Sequence, residues 1–207
     1  MFRIVLFSLS CLVSTFVGAV AVVGRECPDF QMTDIEGQKV SLEGYRGKII
    51  VLEWTNPACP YVLKQYSKDT NDGVGNMQAM QKRFTKPAMD VVWLLISSAT
   101  PGIEGYLNAE QWKEQIQKWG ASPTAVLIDE GAELARMFGA SRTPEVCVIG
   151  KDGVLLYRGA VDSLRGTDPY EIEYPSNLPW LKYAVENAIR GRRVFPPETI
   201  PYGCPIR

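Results

Sequence analysis

The chain of 207 residues is 46% hydrophobic, 22% charged and 10% aromatic, a composition typical of a folded domain that excludes a disordered or low-complexity chain. Its 22 Lys and Arg residues against 23 Asp and Glu residues give a formal net charge of −1, so nucleic acid is not expected as a partner. Because the chain contains no His, Ser-His-Asp, Cys-His and His-based zinc chemistry are excluded. Any chemistry must therefore use Cys, carboxylates or Lys, and neither a metal nor a cofactor is expected.

The N-terminus has the pattern of an export signal. The basic start MFR is followed by the uncharged residues 4–23, and small residues stand near the end of this run at Ala19 and Ala21. We predict a signal peptide over 1–21 and a periplasmic protein. The alternative is an uncleaved anchor, because about 18 apolar residues can span a bilayer. Without such an anchor, no stable membrane partner is expected.

Strand and helix patterns alternate along the rest of the chain. Residues 28–48 place a turn cluster between two short apolar runs, which predicts a β-hairpin. Further on, apolar β-branched runs predict buried strands and amphipathic runs predict helices. In chain order we predict a strand at 49–54, helices at 61–68 and 77–84, a strand at 90–97, a helix at 108–119, a strand at 124–128, a helix at 132–138, a strand at 145–149, a turn at 151–153, a strand at 154–157 and a helix at 180–190.

This order of elements predicts an α/β fold in which a central mixed sheet lies between helices. The main domain is predicted over 22–190, and a Pro-rich tail over 191–207. The acidic and aromatic stretch 168–178 has no periodicity, so we expect either a surface excursion or a lip beside the site.

One cysteine stands where a helix is predicted to begin. Cys59 follows the strand at 49–54 and precedes Pro60, a residue favoured in the first turn of a helix. Unpaired N–H groups and the positive end of the helix dipole favour a thiolate at such a position. Lys64, one helical turn further on, is expected to favour the thiolate too. The sequence therefore predicts Cys59 as a nucleophile.

The segment VLEWTNPACPYV resembles the active-site segment of thioredoxin-fold redoxins. The sequence CPYV from Cys59 onwards is similar to their Cys-x-x-Cys motif, with Val62 at the position of the second cysteine. Glu53 matches the buried acid of thioredoxins. The segment SRTPEV resembles the loop that holds the cis-proline of the family, here Pro144 after Thr143. The resemblance implies that this loop packs against the reactive sulfur.

The opening PDFQMTDIEGQKVSLEGYRGK also resembles the alkyl hydroperoxide reductase/thiol-specific antioxidant branch, and WTNPxCP resembles a bacterial subgroup of peroxiredoxin-like redoxins. The resemblance covers about residues 28–160 and implies a thioredoxin-like three-layer sandwich with an N-terminal hairpin. It implies an antioxidant or thiol-exchange enzyme that reduces peroxides or disulfides and is reduced by an external, thioredoxin-like thiol protein. The alternatives are a protein thiol-disulfide reductase or isomerase and a non-catalytic binding module.

The sequence departs from the pattern of the family at two positions. Asn56 stands where a peroxiredoxin usually has Thr or Ser, and is expected either to hydrogen-bond near the sulfur or to cap the loop. The expected peroxiredoxin Arg is matched only approximately by Arg142.

The other cysteines leave the resolving step open. Cys204 is our candidate for the resolving thiol, because a mobile Pro/Gly-rich tail could carry it to Cys59; a disulfide with Cys27 or an exposed thiol are the alternatives. Cys147 lies in an apolar strand and is predicted to be buried. Glu53 is expected either to exchange protons with the nucleophile or to form a structural hydrogen bond. The predicted site comprises the catalytic Cys59 and Cys204, supported by Glu53, Asn56, Pro60, Thr143 and Pro144.

Overall fold

The computed structural model describes residues 19–70 and 73–206, so most of the predicted signal peptide lies outside the described residues. The strands are β1 (Gln31–Thr33), β2 (Lys39–Ser41), β3 (Ile49–Trp54), β4 (Val91–Ser97), β5 (Ala125–Ile128), β6 (Arg142–Thr143), β7 (Glu145–Ile149), β8 (Leu155–Gly159) and β9 (Cys204–Pro205). The helices are α1 (Pro60–Tyr66), α2 (Asn76–Phe84), α3 (Ala109–Trp119), α4 (Glu133–Phe138) and α5 (Trp180–Ile189), with short 3-10 helices at Glu43–Tyr45, Pro87–Met89 and Pro169–Glu173.

The central sheet is mixed and has the strand order β5-β4-β3-β7-β8. Strands β3, β4 and β5 run parallel, whereas β7 is antiparallel to both β3 and β8. Every residue of β3 and β4 is buried, as expected for apolar, β-branched strands that are covered on both faces. The structure thus confirms the predicted α/β fold, and the β1–β2 pair is the predicted N-terminal hairpin.

The two faces of β3 belong to two separate hydrophobic clusters. Ile49 and Val51 pack in the cluster that also contains buried residues of α1, α2, α3 and α5. Ile50 and Leu52 pack in the cluster that contains α4 and the N-terminal hairpin. This alternation gives three layers, and it places α1 against the same face of the sheet as the odd-numbered residues of β3.

The tail departs from our expectation of a mobile segment. It runs along β8. There the backbone N–H of Arg158 donates to the carbonyl of Pro197 at 3.1 Å, and the carbonyl of Arg158 accepts the backbone N–H of Thr199 at 3.1 Å. It ends in β9, which pairs antiparallel with β6. The tail is ordered because strand edges satisfy its backbone donors and acceptors.

Two further segments bear on the earlier expectations. The stretch 168–178 forms a surface excursion around the 3-10 helix Pro169–Glu173, with exposed Tyr170 and Tyr174. Near the N-terminus, Ala21 is buried and donates its backbone N–H to the carbonyl of Met137 at 2.7 Å. Within the described ranges, no helix has the length and apolarity needed to cross a membrane.

Candidate active site

Cys59 lies between the end of β3 and the first turn of α1. It occupies the cap position with an extended backbone (φ −78°, ψ 120°), and Pro60 is the first helical residue, where its missing N–H leaves no helical bond unmade. The carbonyl of Cys59 accepts the backbone N–H groups of Val62 and Leu63 at 3.0 and 2.9 Å. The Cys59 side chain is 2% exposed. Strand and helix together hold the sulfur at the C-terminal edge of the parallel strands.

The Cys59 sulfur lies against the loop that carries Pro144. The Thr143–Pro144 peptide bond is cis. The Sγ of Cys59 donates a hydrogen bond to the carbonyl oxygen of Thr143 at 3.0 Å. The two segments that the resemblance singled out, 84 positions apart, therefore meet at the sulfur.

The structure brings Cys204 to Cys59. In the β6–β9 ladder, Thr143 is the partner of Cys204. Thr143 therefore contacts both cysteines: its carbonyl accepts the hydrogen bond of the Cys59 sulfur, and its backbone pairs with that of Cys204. Burial raises the pKa of Cys204, and its hydrogen bond with Cys59 raises it further. Cys204 consequently keeps its proton at neutral pH.

Gly203 permits this close approach of the tail. Its φ of +116° lies in the region that side chains disfavour, and a Cβ there would meet the carbonyl oxygen of Thr143 at 2.0 Å. The residue before the second thiol must therefore be glycine for β9 to form as it does.

Asn56 caps the loop that precedes Cys59. Its Oδ1 accepts the backbone N–H of Ala58 at 2.8 Å, and its Nδ2 donates to the carbonyl of Glu104 at 3.0 Å. Of the two roles left open by the sequence, these hydrogen bonds correspond to capping of the loop. The Asn56 amide joins the Cys59 loop to the loop at 102–105.

Glu53 is completely buried in β3. Its carboxylate accepts hydrogen bonds from the hydroxyl of Tyr66 at 2.8 Å and from Nε1 of Trp93 at 2.7 Å. Burial raises the pKa of Glu53 to about 7, although these hydrogen bonds act in the opposite direction. The carboxyl group is thus a structural acceptor that also titrates near neutrality.

Replacing Glu53 by Gln is expected to remove a pH dependence of stability. The folded-state pKa of about 7 lies above the ordinary value of 4.5, so the folded state binds more protons between these values. The free energy of unfolding of wild type therefore falls by about 3 kcal/mol as pH rises through this window. Glu53→Gln lacks this loss, so its free energy of unfolding relative to that of wild type should rise by about 3 kcal/mol from pH 4 to pH 8. Urea unfolding at both pH values measures this gain.

The control for this measurement is Glu114→Gln, because Glu114 is exposed on α3. We expect it to track the wild-type free energy of unfolding at both pH values. An equal offset of Glu53→Gln from wild type at pH 4 and pH 8 would contradict the raised pKa.

Lys64 does not serve the sulfur as expected. Its side chain is fully buried, and its Nζ donates to the carbonyl of Leu164 at 2.6 Å. The same Nζ lies 3.3 Å from Glu171 and 3.8 Å from Asp162. Burial explains the difference, because a buried ammonium group must be matched by carboxylates and carbonyls.

The remaining described cysteines lie apart from the site. Cys27 belongs to the cluster on the other face of the sheet, and burial raises its pKa to about 12. Cys147 is completely buried in β7, as predicted, and burial raises its pKa well above the ordinary value. The alternative of a Cys27–Cys204 disulfide is wrong, since Cys27 and Cys204 pack against clusters on opposite faces of the sheet.

A cavity of about 430 Å³ opens beside the two thiols. Its lining includes Cys59, Cys204 and residues 102–104 of the loop after β4. Thr55 and Thr143 also line it, and their buried hydroxyl groups have no hydrogen-bond partner within 19–70 and 73–206. The cavity gives a small molecule or one side chain of a larger substrate a place beside the sulfur.

Adjacent thiols are the groups through which proteins exchange electrons by making and breaking sulfur–sulfur bonds. The fold and the relatives described next define the protein as a thiol-based oxidoreductase of thioredoxin-like fold. Residues 23–158 match the model of the AhpC/TSA family, and the chain belongs to this family. It is 22% identical over 134 residues to thiol-disulfide oxidoreductase ResA of Bacillus thuringiensis subsp. konkukian, across 65% of this chain and 67% of the relative. ResA of Bacillus anthracis is 22% identical over 131 residues, across 63% and 65% of the two chains. The match thus spans about two thirds of these relatives.

Solved structures share the fold. A conserved protein from Geobacillus kaustophilus superposes with a TM-score of 0.73 at 22% identity, over 90% of this chain and 92% of that chain. A thioredoxin-like protein from Aeropyrum pernix has a TM-score of 0.51 at 18% identity, over 65% and 83%. These similarities confirm the thioredoxin-like fold that the sequence implied.

Proposed function

We propose that the protein catalyses thiol–disulfide exchange, with Cys59 as the attacking thiolate and Cys204 as the thiol that resolves the mixed disulfide. The position of Cys204 against Cys59 carries this proposal. The name of the ResA relatives, thiol-disulfide oxidoreductase, supports a disulfide as the substrate.

The two thiols have different roles because their environments differ. Cys204 is protonated at neutral pH, since burial and its hydrogen bond with Cys59 raise its pKa. This leaves Cys59 as the nucleophile. Once Cys59 is bonded to substrate, its sulfur can no longer carry the negative charge that raises the pKa of Cys204. The second thiol then loses its proton more readily, at the step that needs it.

The proposed reaction balances within the thiol pair and its substrate. The Cys59 thiolate attacks one sulfur of the substrate disulfide; a Cys59–substrate bond forms, the substrate S–S bond breaks, and the leaving thiolate takes up a proton. Cys204 then loses its proton and attacks the Cys59 sulfur, which forms the Cys59–Cys204 disulfide and releases the second substrate thiol. The substrate gains two electrons, and an external dithiol, such as that of a thioredoxin-like protein, restores the reduced pair. Glu53, with a pKa raised to about 7 by burial, is proposed to exchange protons with Cys59.

Cys204→Ser is expected to stop the reaction after its first step. Reduced wild type treated with oxidised glutathione should yield the Cys59–Cys204 disulfide, whereas the variant should accumulate one glutathione on Cys59, because nothing resolves it. Mass spectrometry of peptides identifies both products. Cys27→Ala, which alters a buried thiol on the other face of the sheet, should behave as wild type. A persistent glutathione adduct on wild type, or a disulfide through another cysteine, would refute the proposal.

Peroxide reduction is the second candidate function. The AhpC/TSA match supports it, as do the unpartnered hydroxyls of Thr55 and Thr143 beside the cavity. Two observations favour disulfides instead: Asn56 is engaged in the loop, and Arg142 is exposed with its guanidinium 3.4 Å from the carbonyl of Gly203. Stopped-flow reaction of the reduced protein with hydrogen peroxide separates the candidates. Rapid sulfenate formation on Cys59 would favour the peroxidase, and inertness would exclude it.

We further propose that the protein acts outside the cytoplasm. The uncharged N-terminal run supports this location, and an oxidising compartment allows a Cys59–Cys204 disulfide to persist. N-terminal sequencing of the protein from periplasmic extracts tests the proposal. A start at Val22 would support it, whereas Met1 retained in a cytosolic fraction would contradict it.

A further inference from the structure

A buried polar network ties the tail to α1. Tyr202, two residues before Cys204, donates its hydroxyl hydrogen to Oδ1 of Asp162 at 2.7 Å. Gln65 in α1 donates from Nε2 to the Tyr202 oxygen at 3.2 Å and to Oδ2 of Asp162 at 2.6 Å. All three residues are at least nine-tenths buried: Tyr202 is 6% exposed, Asp162 1% and Gln65 0%.

Lys64 compensates the charge inside this network. Its Nζ lies 3.8 Å from Asp162, 3.3 Å from Glu171 and 5.2 Å from the centroid of the Tyr202 ring. Charged groups this deeply buried are tolerated when each one is paired and hydrogen-bonded. The network therefore favours one arrangement, since any shift of a member leaves a buried polar group unpaired.

The geometry of α1 connects this network to the thiol pair. The helix begins after Cys59 and carries Gln65 in its last turn, so a single rigid element positions both the nucleophile and the anchor of the tail. From Tyr202 to Cys204 the chain advances two residues, which span at most about 7 Å. An anchored Tyr202 thus confines Cys204 to a small volume beside Cys59, which the two-residue strand β9 alone would hold only weakly.

We infer that Tyr202 is a positioning residue: through Asp162 and Gln65, its hydroxyl group holds Cys204 within bonding reach of Cys59. This role rests on the proposed function, in which the two thiols form a disulfide. Without the hydroxyl, the ring still packs beside Tyr61, at 5.9 Å between centroids, but the tail loses its bond to the buried carboxylate. Cys204 then spends more time away from the mixed disulfide that it must attack.

Tyr202→Phe tests this role because it removes one oxygen and keeps the ring. Stopped flow measures two rates separately: the attack of Cys59 on an aromatic disulfide and the later resolution by Cys204. Equilibration with glutathione measures the ratio of the Cys59–Cys204 disulfide to the dithiol. We expect the first step not to be slowed, the second to slow about tenfold, and the equilibrium to shift towards the dithiol, as for the loss of one hydrogen bond to a charged group. Tyr183→Phe, at an exposed tyrosine of α5, is the matched control and should resemble wild type.

The outcomes separate this inference from the proposed function. Resolution and glutathione equilibrium equal to wild type in Tyr202→Phe would overturn the positioning role, provided that wild type forms its disulfide. If wild type forms no Cys59–Cys204 disulfide, the proposed function fails and this role with it. Should Tyr202→Phe not fold, Gln65→Met removes the side chain that donates to the Tyr202 oxygen and is expected to slow resolution in the same way. Loss of both steps together would indicate a purely structural residue and contradict the inference.

Discussion

Replacing Cys59 by serine is expected to lower the reduction of a protein disulfide at least about 1,000-fold, to the rate of uncatalysed exchange. The hydroxyl of serine does not ionise near neutral pH and cannot displace a sulfur. No other described thiol can take over the first step, because burial raises the pKa values of Cys27, Cys147 and Cys204. Turnover of a protein disulfide with a dithiol reductant measures the loss.

The control for this loss is Cys27→Ala, which removes a buried thiol from the cluster on the opposite face of the sheet. We expect its turnover to equal that of wild type. Substantial residual turnover in Cys59→Ser would identify a different nucleophile.

Gly203→Ala is expected to separate the two thiols while leaving both in the chain. The added Cβ would lie 2.0 Å from the carbonyl oxygen of Thr143 and 2.8 Å from its carbon, atoms of a backbone that the β6–β9 ladder and the Cys59 sulfur both use. A φ of +116° adds strain for any residue with a side chain. Relieving the clash and the backbone strain requires β9 to move away from β6. Resolution of a mixed disulfide on Cys59 by Cys204 should therefore slow roughly 10-fold to 100-fold.

A matched glycine distinguishes the clash from backbone strain. Gly191, at the start of the tail, also has a positive φ of +62°, but a Cβ there would meet nothing within 4 Å. Gly191→Ala should therefore cost stability without slowing resolution. If both variants resolve the mixed disulfide at the wild-type rate, the close approach of Gly203 to Thr143 is not needed to place Cys204.

The core of the fold was predictable because its signals are local. Strands β3 and β4 are largely apolar runs, and every residue in them is buried, as their composition indicates. Asn108 and Gln111 form a capping box at the start of α3, close to the predicted boundary. The meeting of Cys59 with the cis-proline loop was predictable from the motifs around Cys59 and Pro144. Each of these motifs occupies a few consecutive residues.

The sequence could not establish where Cys204 and Lys64 lie, because their positions depend on contacts with distant residues. Cys204 was our candidate for the resolving thiol, but a disulfide with Cys27 and an exposed thiol stayed open, since no local pattern reports which strand edge a tail reaches. The ladder β6–β9 has two residues on each side, too few for a period. Lys64 was expected to act on the sulfur because it stands one helical turn beyond Cys59, a spacing at which side chains share one face of a helix. The buried partners Asp162 and Tyr202 lie about 100 and 140 positions away along the chain.

The place of Cys204 near the end of the chain bears on the direction of electron flow. A bond from Cys59 to Cys204 would close a loop of about 145 residues, which contains β4, β5, β7 and β8 of the central sheet. Closing a loop of this length disfavours the unfolded chain by about 5 kcal/mol in the chain-entropy model. By thermodynamic linkage, a native fold that is stabilised by a disulfide stabilises that disulfide against reduction to the same extent. Cooperative folding would therefore lower the reduction potential of the pair and make its dithiol form a stronger donor of electrons than two unconstrained cysteines.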